Sequence, residues 1–196
     1  MTLNTDGLTM LHLGLGSFHR AHQAIYLQNL IDSGETHWSL AGGNLRPDMA
    51  ETIAALQQQD GQYTLETVTP AGERRYQRIS SIRRVISYEP SLAGLITLGA
   101  AADTRIISFT VTEAGYYLDA KNRLDLNFAD LASDVEWARR AEPGQTIYGA
   151  LVAILRARMA TDGGKVTLLN CDNLRHNGER FRSGLLQFIE LLGDRN

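Results

Sequence analysis

The sequence has few of the features that mark a secreted, membrane-spanning or nucleic-acid-binding protein. It contains one cysteine, Cys171, among 196 residues, which excludes an internal disulfide and suits a reducing compartment. Its apolar runs are far shorter than the ~20 residues that span a bilayer, and its start lacks the charged and apolar regions of a signal peptide. The net charge is −3 without a basic patch. We therefore expect a cytoplasmic protein with no membrane and no nucleic-acid partner.

What the chain does have is enough apolar material for one globular domain, which we take as 1–196. Hydrophobic residues make up 43% of the sequence, and short buried strands alternate with amphipathic helices. The predicted strands are 10–15, 38–42, 104–111 and 166–169, and the predicted helices are 18–32, one with Pro47 near its first turn, 90–98, 128–140, 147–159 and 181–192. Two further strand-like stretches, 62–69 and 73–88, predict an antiparallel hairpin inserted in the parallel pattern.

A glycine turn follows the first predicted strand, and a helix follows the turn. Gly14 allows a sharp turn, and Gly16 allows the backbone to approach a pyrophosphate, as in a Rossmann-like, doubly wound α/β fold with a mostly parallel sheet. The third glycine of that fingerprint is replaced by His19. On these residues alone, a nucleotide site and an ordinary strand-to-helix turn are equally good interpretations. A methyl-donor-binding methyltransferase shares the turn, but nothing else in the sequence favours one.

Three polar or glycine-rich segments follow predicted strands, at 14–20, 110–115 and 170–177. Because ligands of open parallel sheets lie outside the carboxyl ends of the strands, we expect these segments to meet at one site. Short polar side chains there can contact ribose, phosphate or a carboxamide.

The same segments carry a family resemblance. GLGSFHRAHQ at 14–23, TVTEAGY at 110–116 and CDNLRHNG at 171–178 occur in that order. The chain resembles the N-terminal half of the mannitol dehydrogenase family, the polyol-specific long-chain dehydrogenases and reductases. Within that family, 65–68, 109–119 and 177–181 resemble the branch that acts on D-arabinitol.

The resemblance implies a zinc-independent, NAD-dependent oxidation of a secondary alcohol to a ketose, with D-arabinitol to D-xylulose as the favoured reaction. Mannitol 2-dehydrogenase, a fructuronate reductase-like enzyme and a stand-alone nucleotide-binding module without catalysis are the alternatives. The family's general base is a lysine in a helical substrate domain that follows. We expect that domain of the same protein to be missing here, so the chain alone would bind NAD weakly without turnover. Lys165 is rejected as the base because it opens a predicted strand and lacks the accompanying histidine.

The resemblance also assigns site residues. It gives cofactor-binding roles to Gly14, Leu15, Gly16, Ser17, Phe18, His19, Arg20, Asp48, Thr110, Thr112 and Glu113. It makes Asn173 the catalytic residue of this half, polarising the reacting oxygen. His19 and His22 resemble a metal pair, but a metal site needs more ligands, so no metal is expected.

Selectivity between NAD and NADP depends on the loop after the second strand. Asp48 matches the family acid that binds the ribose hydroxyls and repels a 2′-phosphate. Pro47 replaces a second acid beside it, and the nearby Arg46 could bind a phosphate. We expect NAD as the cofactor.

Overall fold

A computed structural model describes residues 7–193, which form a five-stranded parallel sheet flanked by helices and a separate two-stranded hairpin. In chain order the elements are β1 Leu8–Leu13, α1 Ser17–Ala21, α2 Gln23–Asp32, β2 Trp38–Gly43, α3 Ala50–Gln58, β3 Tyr63–Val68, β4 Arg74–Ile79, β5 Ile82–Ile86, α4 Ala93–Ala100, β6 Thr104–Phe109, a 3-10 turn Glu113–Tyr116, α5 Ala129–Arg139, α6 Ile147–Ala160, β7 Thr167–Asn170 and α7 Asn177–Leu192. The predicted fold class is confirmed.

The strand order β5-β2-β1-β6-β7 places the first strand at the centre of the sheet. Leu13 at the end of β1 pairs with Gly43 of β2 and Phe109 of β6, and Phe109 pairs with Asn170 of β7. The carboxyl ends of four strands are therefore level with one another. The segments that follow them meet at one edge, as the parallel topology requires.

Successive side chains of β1 point to opposite faces of the sheet, so this strand contributes to a separate apolar cluster on each face. Leu11 and Leu13 pack into a cluster built largely from α4, α5, α6 and α7. Met10 packs into a smaller cluster with residues of α2, α3 and the hairpin. The sheet is thus covered by apolar side chains on both faces, which is why its central strands read as continuous apolar runs.

The helix predicted over 18–32 is in fact two helices, α1 and α2, which meet at His22. His22 has φ −130° and ψ −83°, outside the helical region. Its Nδ1 lies 3.0 Å from the carbonyl oxygen of Phe18, the group that an uninterrupted helix would use for its own backbone bond. This local competition breaks the helix, although the apolar spacing continues through the break.

The stretch 73–88 is also divided. Its first part, β4, pairs with β3 as the predicted hairpin, whereas β5 joins the parallel sheet beside β2. Ser81 at the switch is fully buried, and its hydroxyl donates to the carbonyl of Ala24 in α2 at 2.7 Å. The amide of Ser80 donates to Gln28 of the same helix, also at 2.7 Å. These two bonds to α2 fix the point where the chain leaves the hairpin.

Several element boundaries also differ from the prediction by a few residues, and two of them affect the site. β1 ends at Leu13 rather than Leu15, and α3 begins at Ala50, so Pro47 lies in the preceding loop. Met49, just before α3, adopts a left-handed conformation at φ 57°, which separates that loop from the helix. Over residues 7–193, no helix has the combination of length and apolarity needed to cross a membrane.

Candidate functional site

The turn between β1 and α1 presents bare backbone to open space. Gly14 has φ +111°, a conformation that favours glycine, and a Cβ placed on Gly14 or Gly16 would meet no atom within 4 Å. Leu15 between them turns its side chain into the core and is 0% exposed. The amide of Gly14 donates to the carbonyl of Gly43 at 2.9 Å, which joins the turn to the end of β2. The turn is therefore shaped and held before any ligand binds.

The Arg20 side chain is engaged by the turn itself and lies outside the lining of the open face. A guanidinium nitrogen of Arg20 donates to the carbonyl of Leu15, and the hydroxyl of Tyr63 donates to the carbonyl of Arg20. The Arg20 side chain thus stabilises the turn by donating to the backbone carbonyl of Leu15. Helix α1 is only 5 residues long, so its dipole adds less to anion binding than the dipole of a full-length helix after the turn would.

Asn44, the first residue after β2, fixes the turn from the other side. Its Oδ1 accepts the amide of Leu15 at 2.8 Å, and its Nδ2 donates to the carbonyl of Asp48 at 3.0 Å. The residue is 5% exposed. One side chain thereby links the glycine turn to the loop that carries Asp48. Asn44 was not among the predicted site residues, although a side-chain amide can both accept and donate hydrogen bonds.

His19, which replaces the third glycine, packs its ring flat against His12 of β1. The ring centroids are 3.7 Å apart and the planes differ by 16°. Nδ1 of His12 lies 2.8 Å from the hydroxyl of Ser108, whereas neither ring nitrogen of His19 finds a hydrogen-bond partner among the described residues. A stacked pair of rings therefore joins helix and strand where a glycine would allow close backbone contact.

Burial keeps both rings neutral. It lowers the pKa of His19 to about 4 and the pKa of His12 well below its usual range, with the neighbouring His19 lowering it further. His12, a polar residue inside the apolar run of β1, was the signal in the sequence, but its stacking partner His19, five residues after Gly14, was not predicted.

A cavity of about 670 Å³ opens at the carboxyl edge of the sheet, in front of the glycine turn. It is lined by residues from the ends of β1, β2 and β6 and from the starts of α5 and α6. Those named by the sequence analysis as cofactor-binding are Gly14, Gly16, Phe18, His19, Asp48, Thr110 and Thr112. The volume is within the range of small-molecule and cofactor sites.

The remaining predicted residues lie elsewhere. Leu15, Ser17, Arg20 and Glu113 are outside the lining of this cavity, although Leu15 and Arg20 shape the turn. Asn173 also lies outside it. Phe18 is 46% exposed and stacks on His22, with ring centroids 4.2 Å apart, so it forms an apolar wall at the surface of the cavity.

A polar bridge that the sequence analysis did not predict crosses one end of the cavity. Arg46, in the loop after β2, donates to a carboxylate oxygen of Asp130 in α5 at 3.0 Å and to the hydroxyl of Tyr117 at 3.2 Å. That hydroxyl donates to the same oxygen of Asp130 at 2.8 Å. Burial and then the Asp130 hydrogen bond raise the pKa of Tyr117 to about 12, so the hydroxyl remains a donor.

The end of β7 is organised by a second polar network. The hydroxyl of Tyr116 donates to Asp172 and accepts the amide of Asn170 at 2.7 Å. The side-chain amide of Asn177 donates to the carbonyls of Asn170 and Asp172, at 3.1 and 3.0 Å. Asp172 and Asn177 thus hold this loop by hydrogen bonds.

Asn173 stands at the tip of that loop, exposed, and its side chain makes no hydrogen bond to the described residues. The amide is therefore free to meet a ligand above β7.

Burial raises the pKa of the neighbouring Cys171 thiol, with Asp172 adding to the effect, so this thiol is a poor nucleophile. Among residues 7–193, no group of three or more His, Cys, Asp or Glu side chains is arranged to hold a metal ion.

Fold and site together define a Rossmann-type domain: a parallel sheet with its first strand at the centre, an open glycine turn, and a cavity at the carboxyl edge. Residues 8–193 match the Mannitol dehydrogenase Rossmann domain, and the chain belongs to the mannitol dehydrogenase family.

Named relatives agree with this assignment. The chain is 50% identical over 185 residues to D-arabinitol 4-dehydrogenase of Klebsiella pneumoniae, covering 94% of this chain and 40% of that protein. It is 53% identical over 188 residues to D-arabinitol 4-dehydrogenase of Ralstonia nicotianae, covering 94% of this chain and 39% of the relative. The chain thus spans about 40% of the length of these relatives.

Among solved structures, the chain is similar to Pseudomonas fluorescens mannitol 2-dehydrogenase in a ternary complex with NAD and D-mannitol. The TM-score is 0.85 at 32% sequence identity, and the match covers 98% of this chain and 39% of that one. This likeness confirms the fold, and it supports the prediction of NAD as cofactor.

Proposed function

We propose that this chain is the NAD-binding domain of a polyol dehydrogenase that oxidises D-arabinitol to D-xylulose. The observation that carries the proposal is the open glycine turn facing a cavity of about 670 Å³. The family match and the NAD-containing solved relative support the cofactor. The D-arabinitol 4-dehydrogenases at 50% and 53% identity favour that substrate over mannitol, since the mannitol 2-dehydrogenase of Cereibacter sphaeroides is 39% identical.

The residues of the cavity fit a dinucleotide. The space beyond Gly14 and Gly16, where a Cβ would meet nothing within 4 Å, suits a diphosphate held by backbone. Asp48, exposed on the adenosine side, would accept hydrogen bonds from ribose hydroxyls. Thr110 and Thr112, after β6, would contact the second ribose and its nicotinamide.

The chemistry divides between this chain and a following domain. NAD, when bound, accepts the hydride from the alcohol carbon. Asn173 donates its side-chain amide to the reacting oxygen and stabilises the negative charge that develops there as the proton leaves. The proton goes to a lysine of the substrate domain. The chain on its own therefore binds NAD and forms no NADH when a polyol is added.

Substitution of Gly16 tests the cofactor site. Gly16 has φ −65°, which valine adopts easily, so Gly16→Val adds bulk to the open face without straining the backbone. We expect the dissociation constant for NAD, from calorimetric titration, to rise at least about tenfold, equal to about 1.4 kcal/mol. Gly178→Ala is the matched control, because Gly178 also has open space but lies in α7 away from the cavity.

Equal NAD affinity in the Gly16→Val variant and the native chain would contradict the proposal, as would a native chain that binds no NAD. The substrate is tested separately, in a protein where this chain is followed by a family substrate domain. We expect kcat/KM to be higher for D-arabinitol than for D-mannitol, and the reverse order would favour the mannitol alternative.

A further inference from the structure

The bridge between Arg46 and Asp130 joins two distant segments of the chain that both line the cavity. Arg46 comes from the loop after β2, which also carries Asp48, and Asp130 lies in the first turn of α5, 84 residues further along the chain. In a Rossmann-type domain, the loop after the second strand is where the adenosine ribose is bound. An arginine in this loop is therefore in place to meet a phosphate on the ribose 2′-oxygen.

In this structure the guanidinium of Arg46 is already engaged. One terminal nitrogen donates to both Asp130 and Tyr117, at 3.0 and 3.2 Å, and Nε donates to the carbonyl of Gln145 at 3.4 Å. Tyr117 in turn donates to the Asp130 oxygen at 2.8 Å, so the three side chains form a closed triangle. Tyr117 is 8% exposed, which holds one corner of the triangle rigid.

The charges around the cavity also oppose an added phosphate. Among the described residues that line it, Arg46 is the one arginine or lysine, and Asp48 and Asp130 are the two acids. The two buried histidines, His12 and His19, are neutral at pH 7 because burial lowers their pKa values. The lining thus carries a net negative charge, and its one cation is paired with the carboxylate of Asp130.

We propose that Asp130 determines the preference of this domain for NAD over NADP, by engaging Arg46 so that this arginine is not available to a 2′-phosphate. The inference rests on the proposed NAD site and adds a determinant outside the loop that carries Asp48. Asp48 repels the phosphate directly, whereas Asp130 acts through Arg46.

The proposal is tested by measuring NAD and NADP binding to variants in which one charged side chain is replaced by a neutral one. Asp130→Asn keeps the shape of the side chain and removes its charge, and the side chain is 44% exposed, so the fold tolerates the change. We expect the dissociation constant for NADP to fall about fivefold, the upper end of what one exposed ion pair contributes. The constant for NAD should stay within about twofold. Titrations followed by calorimetry or by fluorescence of Trp38 and Trp137 give both constants without turnover.

Two further variants make the result specific. Arg46→Gln should leave the NADP constant of the native chain almost unchanged, and in the Asp130→Asn background it should abolish the gain. Asp162→Asn is the control for a lost negative charge, because Asp162 is exposed, lies outside the cavity lining and has φ 53°, which asparagine tolerates.

The proposal is overturned if Asp130→Asn leaves the ratio of the NADP and NAD constants unchanged. It is also overturned if Arg46→Gln alone weakens NADP binding about fivefold or more, since Arg46 would then already serve the phosphate. If the native chain binds NAD and either of these variant results is obtained, only this inference is refuted. A native chain that binds neither nucleotide refutes the proposed function as well.

Discussion

The imidazole rings of His12 and His19 lie face to face, 3.7 Å apart, and together they join β1 to the helix after the glycine turn. Both rings are almost fully buried, at 2% and 3% exposed. A proton on either ring would place a charge against a neighbouring ring in a site that excludes water, which is costly. The stability of the turn should therefore decrease when acid protonates either histidine of this pair.

Stability should fall with pH below the ordinary pKa of histidine. Because the pKa of His19 is lowered to about 4 from 6.5, the unfolded chain binds more protons between these values, and stability is lost as pH falls through them. The loss from His19 alone reaches at most about 3 kcal/mol. Melting temperatures measured from pH 7 to pH 4 should fall less steeply in His19→Phe, which keeps the stacked ring without a titrating group.

The control is His37→Gln, since the side chain of His37 is 71% exposed in a surface pair with Glu35. It should leave the pH profile close to that of the native chain. Profiles of native chain and His19→Phe that run parallel would show that His19 does not titrate on unfolding.

Removing the Asn44 side chain should weaken both the fold and cofactor binding. Asn44→Ala leaves the buried amide of Leu15 without its acceptor and frees the loop at Asp48, because both bonds depend on this one side chain. The expected loss in free energy of unfolding is about 1–3 kcal/mol, measured by urea denaturation. The dissociation constant of the same variant for NAD should also rise.

Asn127→Ala is the matched control, because Asn127 is exposed and, among residues 7–193, its side chain bonds to nearby Asp125 alone. Its unfolding curve should overlay that of the native chain. An Asn44→Ala variant with unchanged stability would mean that water replaces the amide at the turn.

The buried carboxylate of Asp134 leaves no room for a side chain at Gly149. A Cβ there would lie 2.3 Å from an oxygen of Asp134, which is 0% exposed and accepts the amides of Gln145 and Thr146 at 2.9 and 2.7 Å. Gly149→Ala should therefore destabilise the chain by about 1–3 kcal/mol, despite the general helix preference for alanine.

Gly178→Ala, in α7 with open space around it, should instead be neutral or stabilising by up to about 1 kcal/mol. Thermal and urea unfolding of both variants checks the pair. If both variants were equally stable, the contact with Asp134 would be too loose to matter.

Local signals in the sequence were sufficient for the parts of the fold that depend on apolar periodicity. The central strands β1 and β6 were found because both faces of the sheet are covered, which gives continuous apolar runs. The glycine turn was found because Gly14, whose φ of +111° favours glycine, is followed two residues later by a second glycine after a predicted strand. Gly14 and Gly16 therefore carried most of the functional inference.

The features that were missed depend on contacts between distant residues. The split of 73–88 rests on Ser80 and Ser81 bonding to α2, more than 50 residues earlier. Likewise, nothing near Arg46 in sequence indicates that its partner is Asp130. Periodicity describes which face of an element is apolar, but it carries no information about which polar groups meet across a cavity.

The most direct test of the account is a structure of this chain crystallised with NAD. We expect the diphosphate of NAD to lie against the backbone of Gly14 and Gly16, with the adenosine ribose beside Asp48 and the nicotinamide beside Thr110 and Thr112. A structure with the glycine turn empty and NAD bound elsewhere, or with no NAD bound at saturating concentration, would contradict it.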